Sequence, residues 1–180
     1  MIEHQYTACY CEENIWHLCS DSSINATQKQ VLWVGSLQHH SPLWCQRASV
    51  DPEQDPVWWD YHVILLAFTD QWRVWDLDTT LPLGVPANEY FLRTFRAAMA
   101  FPPLFRAMDS DYYRRCFSSD RSHMLDANQQ WLVEPPSWPP IQNEILTFSE
   151  MLDFTSDKHG TIMGFNEALR HFDLKISVSR

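Results

Sequence analysis

Cys11, His62 and the two carboxylates Asp76 and Asp78 are the residues whose types and spacing suit covalent catalysis. A thiol attacks a carbonyl carbon only as the thiolate, and the start of a helix favours that anion. A neighbouring imidazolium favours it further and can carry the proton that a leaving group needs. The imidazole in turn needs a carboxylate that fixes its tautomer and stabilises its charge. Together these groups would attack a carbonyl and pass through a thioester.

Such chemistry requires a helix for the cysteine and a hairpin for the other two groups. The helix is predicted from near Cys11. Glu12 and Glu13 suit a first turn, where acidic side chains meet the positive end of the helix dipole. Ile15, Leu18 and Cys19 share one face at helical spacing, and Ser20-Asp21-Ser22-Ser23 ends the pattern. Trp58 to Phe68 and Trp72 to Leu77 are rich in aromatic and β-branched residues, and the polar Thr69-Asp70-Gln71 joins them as an antiparallel hairpin. His62 falls on the first strand, with Ile64 and Leu66 on its side; Asp76 and Asp78 fall on a common face of the second. A turn centred on Asp70 sets His62 opposite Asp78 and diagonal to Asp76, so either carboxylate reaches the imidazole. Glu12 and Glu13 oppose the scheme, because negative charge beside Cys11 raises its thiol pKa. An ion pair with His62 must offset them.

The same residues have plain structural readings. A cysteine at a helix start is commonly a small, half-buried residue. A strand histidine is commonly a satisfied core or edge residue, and Asp76 and Asp78 suit a strand end that turns into Thr79-Thr80-Leu81-Pro82. His39-His40 with His4 or Cys45 matches no metal-ligand spacing, so a solvated loop is expected there. The polar run from Ser118 to His123 reads as a surface turn, and the nine tryptophans as core or pocket walls.

The rest of the chain supplies the frame. Val31 to Val34 is a buried strand ended by Gly35-Ser36, and Ser49 to Pro56 is a loop. Asn88 is expected to cap a helix with the stripe Tyr90, Phe91, Thr94, Phe95 and Ala98, stopped by Pro102-Pro103. Glu134 to Pro140 is an extended, proline-stiffened segment. A short helix over Thr147 to Leu152, a strand over Thr161 to Met163 and a last helix over Phe165 to Phe172, with Leu169 and Phe172 inward, complete the pattern. With no repeat and no clean boundary, residues 1–180 read as a single α+β domain, an antiparallel sheet with helices packed on it.

Composition excludes several classes. A chain of 180 residues that is 45% hydrophobic can build one sizeable core. Its net charge of −10, with scattered basic residues, repels phosphate backbones and anionic lipid, so neither nucleic acid nor membrane is expected as a partner. No apolar run approaches the roughly 20 residues that span a bilayer. The start has no signal-peptide pattern, which predicts a cytosolic protein, or one also nuclear. Five cysteines, without C-x-x-C spacing, argue for free thiols. No long heptad pattern or obvious self-pairing edge appears, so a monomer is expected.

Several longer motifs go further. Cys9-Tyr10-Cys11-Glu12-Glu13-Asn14-Ile15-Trp16, Trp59-Asp60-Tyr61-His62-Val63, Trp75-Asp76-Leu77-Asp78-Thr79 and Ser119-Asp120-Arg121-Ser122-His123-Met124 resemble, in order, the motifs of the protein N-terminal glutamine amidohydrolase family. The Glu134-Pro135-Pro136 stretch and the closing Phe165 to Phe172 segment also fit. The resemblance implies a papain-like or transglutaminase-like fold. It implies hydrolysis of the side-chain amide of an N-terminal glutamine to glutamate and ammonia, as a step in the N-degron pathway. It implies a Cys-His-Asp triad with no metal or organic cofactor, and selects Cys11 over Cys9, His62, and Asp76 over Asp78. The region between the first helix and the Trp59-Asp60-Tyr61-His62 motif is shorter than in the family, and the segment before Cys9 is very short.

Specificity for a free N-terminus needs a group that meets an ammonium; Glu13 and Asp120 are the candidates, against plain roles in stabilising the helix start and pairing with Arg121. Two other readings stand beside this one: a protease or transglutaminase using the same triad, and a non-enzymatic interaction module in which Cys11 is merely packed.

Overall fold

The computed structural model describes residues 4–38, 40–96, 102–143 and 145–176. Its centre is a sheet that buries both faces. Strands β1 (Gln28–Gly35), β4 (His62–Phe68), β5 (Trp72–Trp75), β6 (Val85–Pro86), β7 (Leu104–Asp109) and β8 (Thr161–Gly164) join in the order β6-β5-β4-β1-β7-β8, and every pairing is antiparallel. Alternation along the central strands sends Val31, Trp33, Val63 and Leu65 into one core and Leu32, Val34, Ile64 and Leu66 into the other. Helices α1 (Cys11–Leu18), α3 (Ser110–Cys116) and α4 (Phe148–Leu152) cover the first face; α2 (Ala87–Thr94) and α5 (Phe165–His171) cover the second. The predicted α+β class therefore holds, with helices on both sides of the sheet.

Several boundaries differ from the predicted ones, each for a local reason. The predicted strand from Trp58 to Phe68 is two strands. Val57–Trp59 (β3) pairs with Ser41–Leu43 (β2) in a separate two-stranded sheet, and β4 begins afresh at His62. The second hairpin strand ends at Trp75, before either aspartate. There the Asp76 Oδ1 atom accepts the backbone N–H of Asp78 at 2.9 Å, a local bond that replaces the ladder with a turn. Asn88 lies inside α2 rather than at its cap, which is Pro86. That helix stops at Thr94, well before Pro102-Pro103, because Phe95 takes an extended conformation that wedges its ring among Tyr90, Phe91, Phe105 and Phe165. Ala98, from the same predicted stripe, lies outside the described residues, as does His39.

The expectations for the short late helix, the inward face of the last helix and the end of β1 match. The short helix α4 is capped reciprocally by Thr147 and Glu150, and Phe172 is buried with Leu169 partly so. Gly35 does end β1, and it must be small: a Cβ there would meet the Phe154 ring at 2.3 Å. Among the described residues no helix is long and apolar enough to cross a membrane. All five cysteines are free thiols.

Candidate active site

Helix α1 lies against the first sheet face, and its first residue is Cys11, 6% exposed. The helix places three fully or nearly buried polar residues in sequence behind it: Glu12, Glu13 and Asn14. Asn14 ties down the incoming chain, accepting the N–H of Thr7 at 2.9 Å and donating to its carbonyl at 2.8 Å. Cys9 sits in the left-handed region at φ 65° on that approach.

The hairpin closes as the three-residue turn requires. Phe68 pairs with Trp72 and Leu65 with Trp75, where the ladder ends, so the expected pairing of His62 opposite Asp78 does not form and the turn carries both aspartates past the strand end. That ending leaves either aspartate open to the imidazole. The fold brings His62, Asp76 and Asp78 together, one side-chain donor or acceptor atom of each within 4.8 Å of the others. The hydrogen bond goes to Asp76: His62 Nε2 lies 2.8 Å from its Oδ1, with both side chains sealed from solvent. Asp76 Oδ2 accepts from Tyr90 Oη at 2.8 Å and from Gln46 Nε2 at 3.1 Å. Trp59 stacks on the imidazole with centroids 5.4 Å apart and donates its Nε1–H to Gln46 Oε1 at 3.2 Å. With every acceptor site of Asp76 engaged, these three residues form a hydrogen-bonded pair and a neighbour. By contrast, His62 Nδ1 is buried and makes no hydrogen bond.

The electrostatics follow from this geometry. Burial alone would depress the His62 pKa, but the charge and hydrogen bond of Asp76 outweigh it, and the net direction is up. Burial pushes the Asp76 carboxyl up, and the His62 charge and three hydrogen bonds overcome that to hold it below the usual carboxylate range. Each member therefore favours the charged form of the other. Burial pushes the Asp78 carboxyl up; Tyr6 donates its hydroxyl to Oδ1 at 2.6 Å. The Cys11 thiol is pushed well up, first by burial and then by the charges of Glu12 and Asp78, while a backbone hydrogen bond from Val63 pulls the other way. Helix α1 packs against β4, the strand that His62 begins.

Glu12 and Glu13 are more deeply buried than a solvated first turn would have them, at 0% exposure each. The polar run expected to be a surface turn is what answers them. Ser122–Met124 forms a short 3-10 turn, entered by Arg121 at φ 62°. Arg121 grips both oxygens of Glu13 at 2.8 Å, and Trp138 Nε1 donates to the same carboxylate at 2.7 Å. Arg121 thus pairs with Glu13 and not with Asp120, whose Oδ1 accepts from the N–H and hydroxyl of Ser122. Glu12 Oε2 accepts the Tyr61 hydroxyl at 2.8 Å and lies 3.7 Å from Cys11 Sγ. Its other oxygen makes no hydrogen bond and faces His123 Nε2 at 3.5 Å.

Sequence reasoning missed Tyr90, Gln46, Arg121, Tyr61 and His123 as parts of this site. Tyr90 and Gln46 carried no local signal, since only the tertiary fold brings them to Asp76. Arg121 and His123 did carry one: two basic residues in a dense polar run, in a chain with two unanswered acids beside its candidate nucleophile.

A buried thiol at a helix start and a buried histidine–aspartate pair with one ring nitrogen free of hydrogen bonds lie on elements that pack together. The family model of N-terminal glutamine amidase matches residues 6–172. A protein N-terminal glutamine amidohydrolase of Drosophila grimshawi is 34% identical over 182 residues, covering 93% of this chain and 87% of the relative. The zebrafish (Danio rerio) protein of that name is 31% identical over 184 residues, covering 94% and 90%. That of Drosophila mojavensis is 38% identical over 148 residues, covering 76% and 71%. The chain belongs to the N-terminal glutamine amidase family.

Proposed function

We propose that this protein hydrolyses the side-chain amide of an N-terminal glutamine in proteins or peptides, yielding glutamate and ammonia. The observation that carries the reading is the His62–Asp76 pair, sealed at 2.8 Å with Nδ1 making no hydrogen bond, on the strand against which α1 and its first residue Cys11 pack. Cys11 is the nucleophile, His62 the acid and base, and Asp76 the carboxylate that holds the ring. His62 takes the Cys11 proton on Nδ1 as the sulfur bonds to the glutamine δ-carbon, and backbone N–H groups at the start of α1 stabilise the oxyanion. His62 gives its proton to the departing nitrogen as the C–N bond breaks, leaving a thioester and ammonia. Water, deprotonated by His62, then adds to the same carbon; the C–S bond breaks and glutamate leaves. None of these steps calls on a metal or organic cofactor. A cysteine on a helix packed against an antiparallel sheet that carries the histidine supports the papain-like description of the fold.

For the substrate ammonium we favour Asp78 over the sequence candidate Glu13. Both Glu13 oxygens are held by Arg121 and Trp138, whereas Asp78 lies beside the pair and is slightly open. Asp120 is exposed and lines a cavity of about 590 Å³ with Ser118, Ile141 and Thr147, which suits a contact further along the peptide. We further propose a single-domain monomer, cytosolic and also nuclear, acting as a step in the N-degron pathway. With a net charge of −10, it would have no nucleic acid or membrane partner.

The test is ammonia release from matched peptides beginning with Gln, Asn and acetylated Gln. Release from the first alone, lost in Cys11→Ala, is expected. Equal release from acetylated Gln would remove the free-amine requirement, and equal release from Asn would sink the side-chain specificity. Backbone cleavage or cross-linking of the same peptides would mark a protease or transglutaminase. Unchanged release in Cys11→Ala would leave Cys11 a packing residue.

A further inference from the structure

Arg121 and His123 project from one turn onto two consecutive acids of α1. Arg121 meets Glu13 with its guanidinium, and His123 meets Glu12 with its imidazole. The difference matters because Glu12, not Glu13, is the acid within reach of the thiol, at 3.7 Å from Cys11 Sγ. Glu12 is 0% exposed and its Oε1 makes no hydrogen bond, an arrangement that costs free energy unless a cation stands opposite. His123 Nε2 stands there at 3.5 Å. Packing fixes the ring in that position. It lies flat on Phe148, centroids 3.8 Å apart and planes 8° off parallel, with the Tyr61 hydroxyl 3.4 Å from Nε2.

We propose that His123 is the countercharge for Glu12 and, through it, a positioning residue that sets how readily the Cys11 thiol ionises. A cation opposite Glu12 offsets its charge, leaving burial and the charges of Asp78 and Asp76 to resist thiolate formation. Without that cation, the Glu12 charge adds to them. The other titratable or charged groups around Glu12 are few. Cys9 and Tyr10 come from the incoming segment, Tyr61 and His62 from the start of β4. Tyr113, whose hydroxyl donates to the Glu12 carbonyl at 3.1 Å, comes from α3, and Arg121 from the turn, already engaged by Glu13. Beside these, and among the described residues, His123 is the cation-forming group placed against the Glu12 carboxylate and paired with no other acid. This resolves the conflict that the sequence poses, two acids beside the nucleophile, by giving each its own basic partner.

The inference rests on Cys11 as the nucleophile, but its test needs no substrate. The rate of Cys11 alkylation by iodoacetamide, followed by mass spectrometry of the Cys11 peptide across pH, reads the thiol directly in the full chain. Glu12→Gln should lower the midpoint by about 1–3 pH units, and His123→Asn should raise it by about 1. His123→Asn placed in the Glu12→Gln background should add nothing, because the effect runs through Glu12. His123→Lys, a permanent cation, should restore the wild-type midpoint or lower it. Should His123→Asn fail to fold, Phe148→Leu, which only loosens the ring, should give a smaller shift of the same sign. An equal His123→Asn shift with and without Glu12, or a midpoint unmoved by Glu12→Gln, overturns the proposal. An amidohydrolase assay that fails while these shifts hold would instead sink the reaction assignment alone.

Discussion

Two buried ion pairs, Arg121–Glu13 and His62–Asp76, are built to opposite ends. The Arg121–Glu13 pair is saturated. The guanidinium donates to both Glu13 oxygens and to the carbonyls of Pro136 and Trp138, and Trp138 adds a further donor to the carboxylate. The His62–Asp76 pair is saturated only on its acid. Asp76 accepts from His62, Asp78, Tyr90 and Gln46, while the imidazole keeps Nδ1 bare. A buried polar group without a partner is costly and is rarely tolerated in a structural role. The first pair fastens the proline-rich segment onto α1; the second holds one ring nitrogen available for a proton. The lesson is that burial alone does not distinguish scaffold from chemistry, but spare hydrogen-bonding capacity does.

The largest expected effect breaks the reactive pair. Asp76→Asn keeps the shape and loses the charge that fixes the His62 tautomer. A drop in kcat of about 10⁴-fold is expected, with a stability change of at most about 1–2 kcal/mol. Arg121→Ala should do the reverse. It strands the Glu13 charge in the core and should cost about 3–5 kcal/mol of unfolding free energy in urea, with activity per folded molecule changed far less. The double variant Glu13→Met with Arg121→Met should recover most of that loss, since removing a whole buried pair is often close to neutral. If Asp76→Asn and Arg121→Ala moved kcat and stability in equal proportion, the distinction between the two pairs would collapse.

A smaller effect sharpens the comparison through pH. His62 has its pKa raised by Asp76, so its stabilisation is complete below the unfolded value of about 6.5 and is lost as pH climbs through the folded value. Asp76 is depressed, so its stabilisation is present above the unfolded value of about 3.9 and is lost as pH falls through the folded one. The stability gap between wild type and His62→Gln should therefore be widest between about pH 4 and 6.5 and narrow on the alkaline side. The Arg121 pKa is raised above its already high value, so its charge persists throughout this range. Urea melts at pH 5.5 and 9 decide the matter. A gap that stays constant or widens at pH 9 contradicts a charged His62–Asp76 pair.

What the sequence disclosed of this arrangement divides along the same line. The hairpin register was legible, because three polar residues between two aromatic strands leave little choice of turn. Helix α1 was legible from its apolar spacing, and the family motifs named Cys11, His62 and Asp76. Strand β7 was not, because Arg106 sits in its middle. Only the fold reveals that this side chain is 1% exposed and donates to the carbonyls of Met151, Asp153 and His159. The surroundings of the site were hidden for the same reason. Glu12 and Glu13 look like solvated first-turn acids until a turn more than 100 positions later in the sequence supplies Arg121 and His123. Long-range pairing of buried charge leaves no periodic trace, so pattern reasoning reads such residues as surface.

Tyr90 offers the finest test, because it touches the reactive pair from behind. It comes from α2 on the opposite core, is wholly buried, and gives its hydroxyl to Asp76 Oδ2 at 2.8 Å. Tyr90→Phe keeps the ring packing and deletes that one donor, leaving Oδ2 with Gln46 at 3.1 Å. The carboxylate should then be less well stabilised as an anion, and His62 less firmly held. A loss of about 1 kcal/mol in stability is expected. A fall in kcat of a few-fold should accompany it, with KM for a Gln-initiated peptide unchanged, because Tyr90 reaches the chemistry only through Asp76. A KM that rose while kcat held would place Tyr90 on the substrate path. The saturation of Asp76 would then be a packing feature rather than the support that lets His62 keep one nitrogen free.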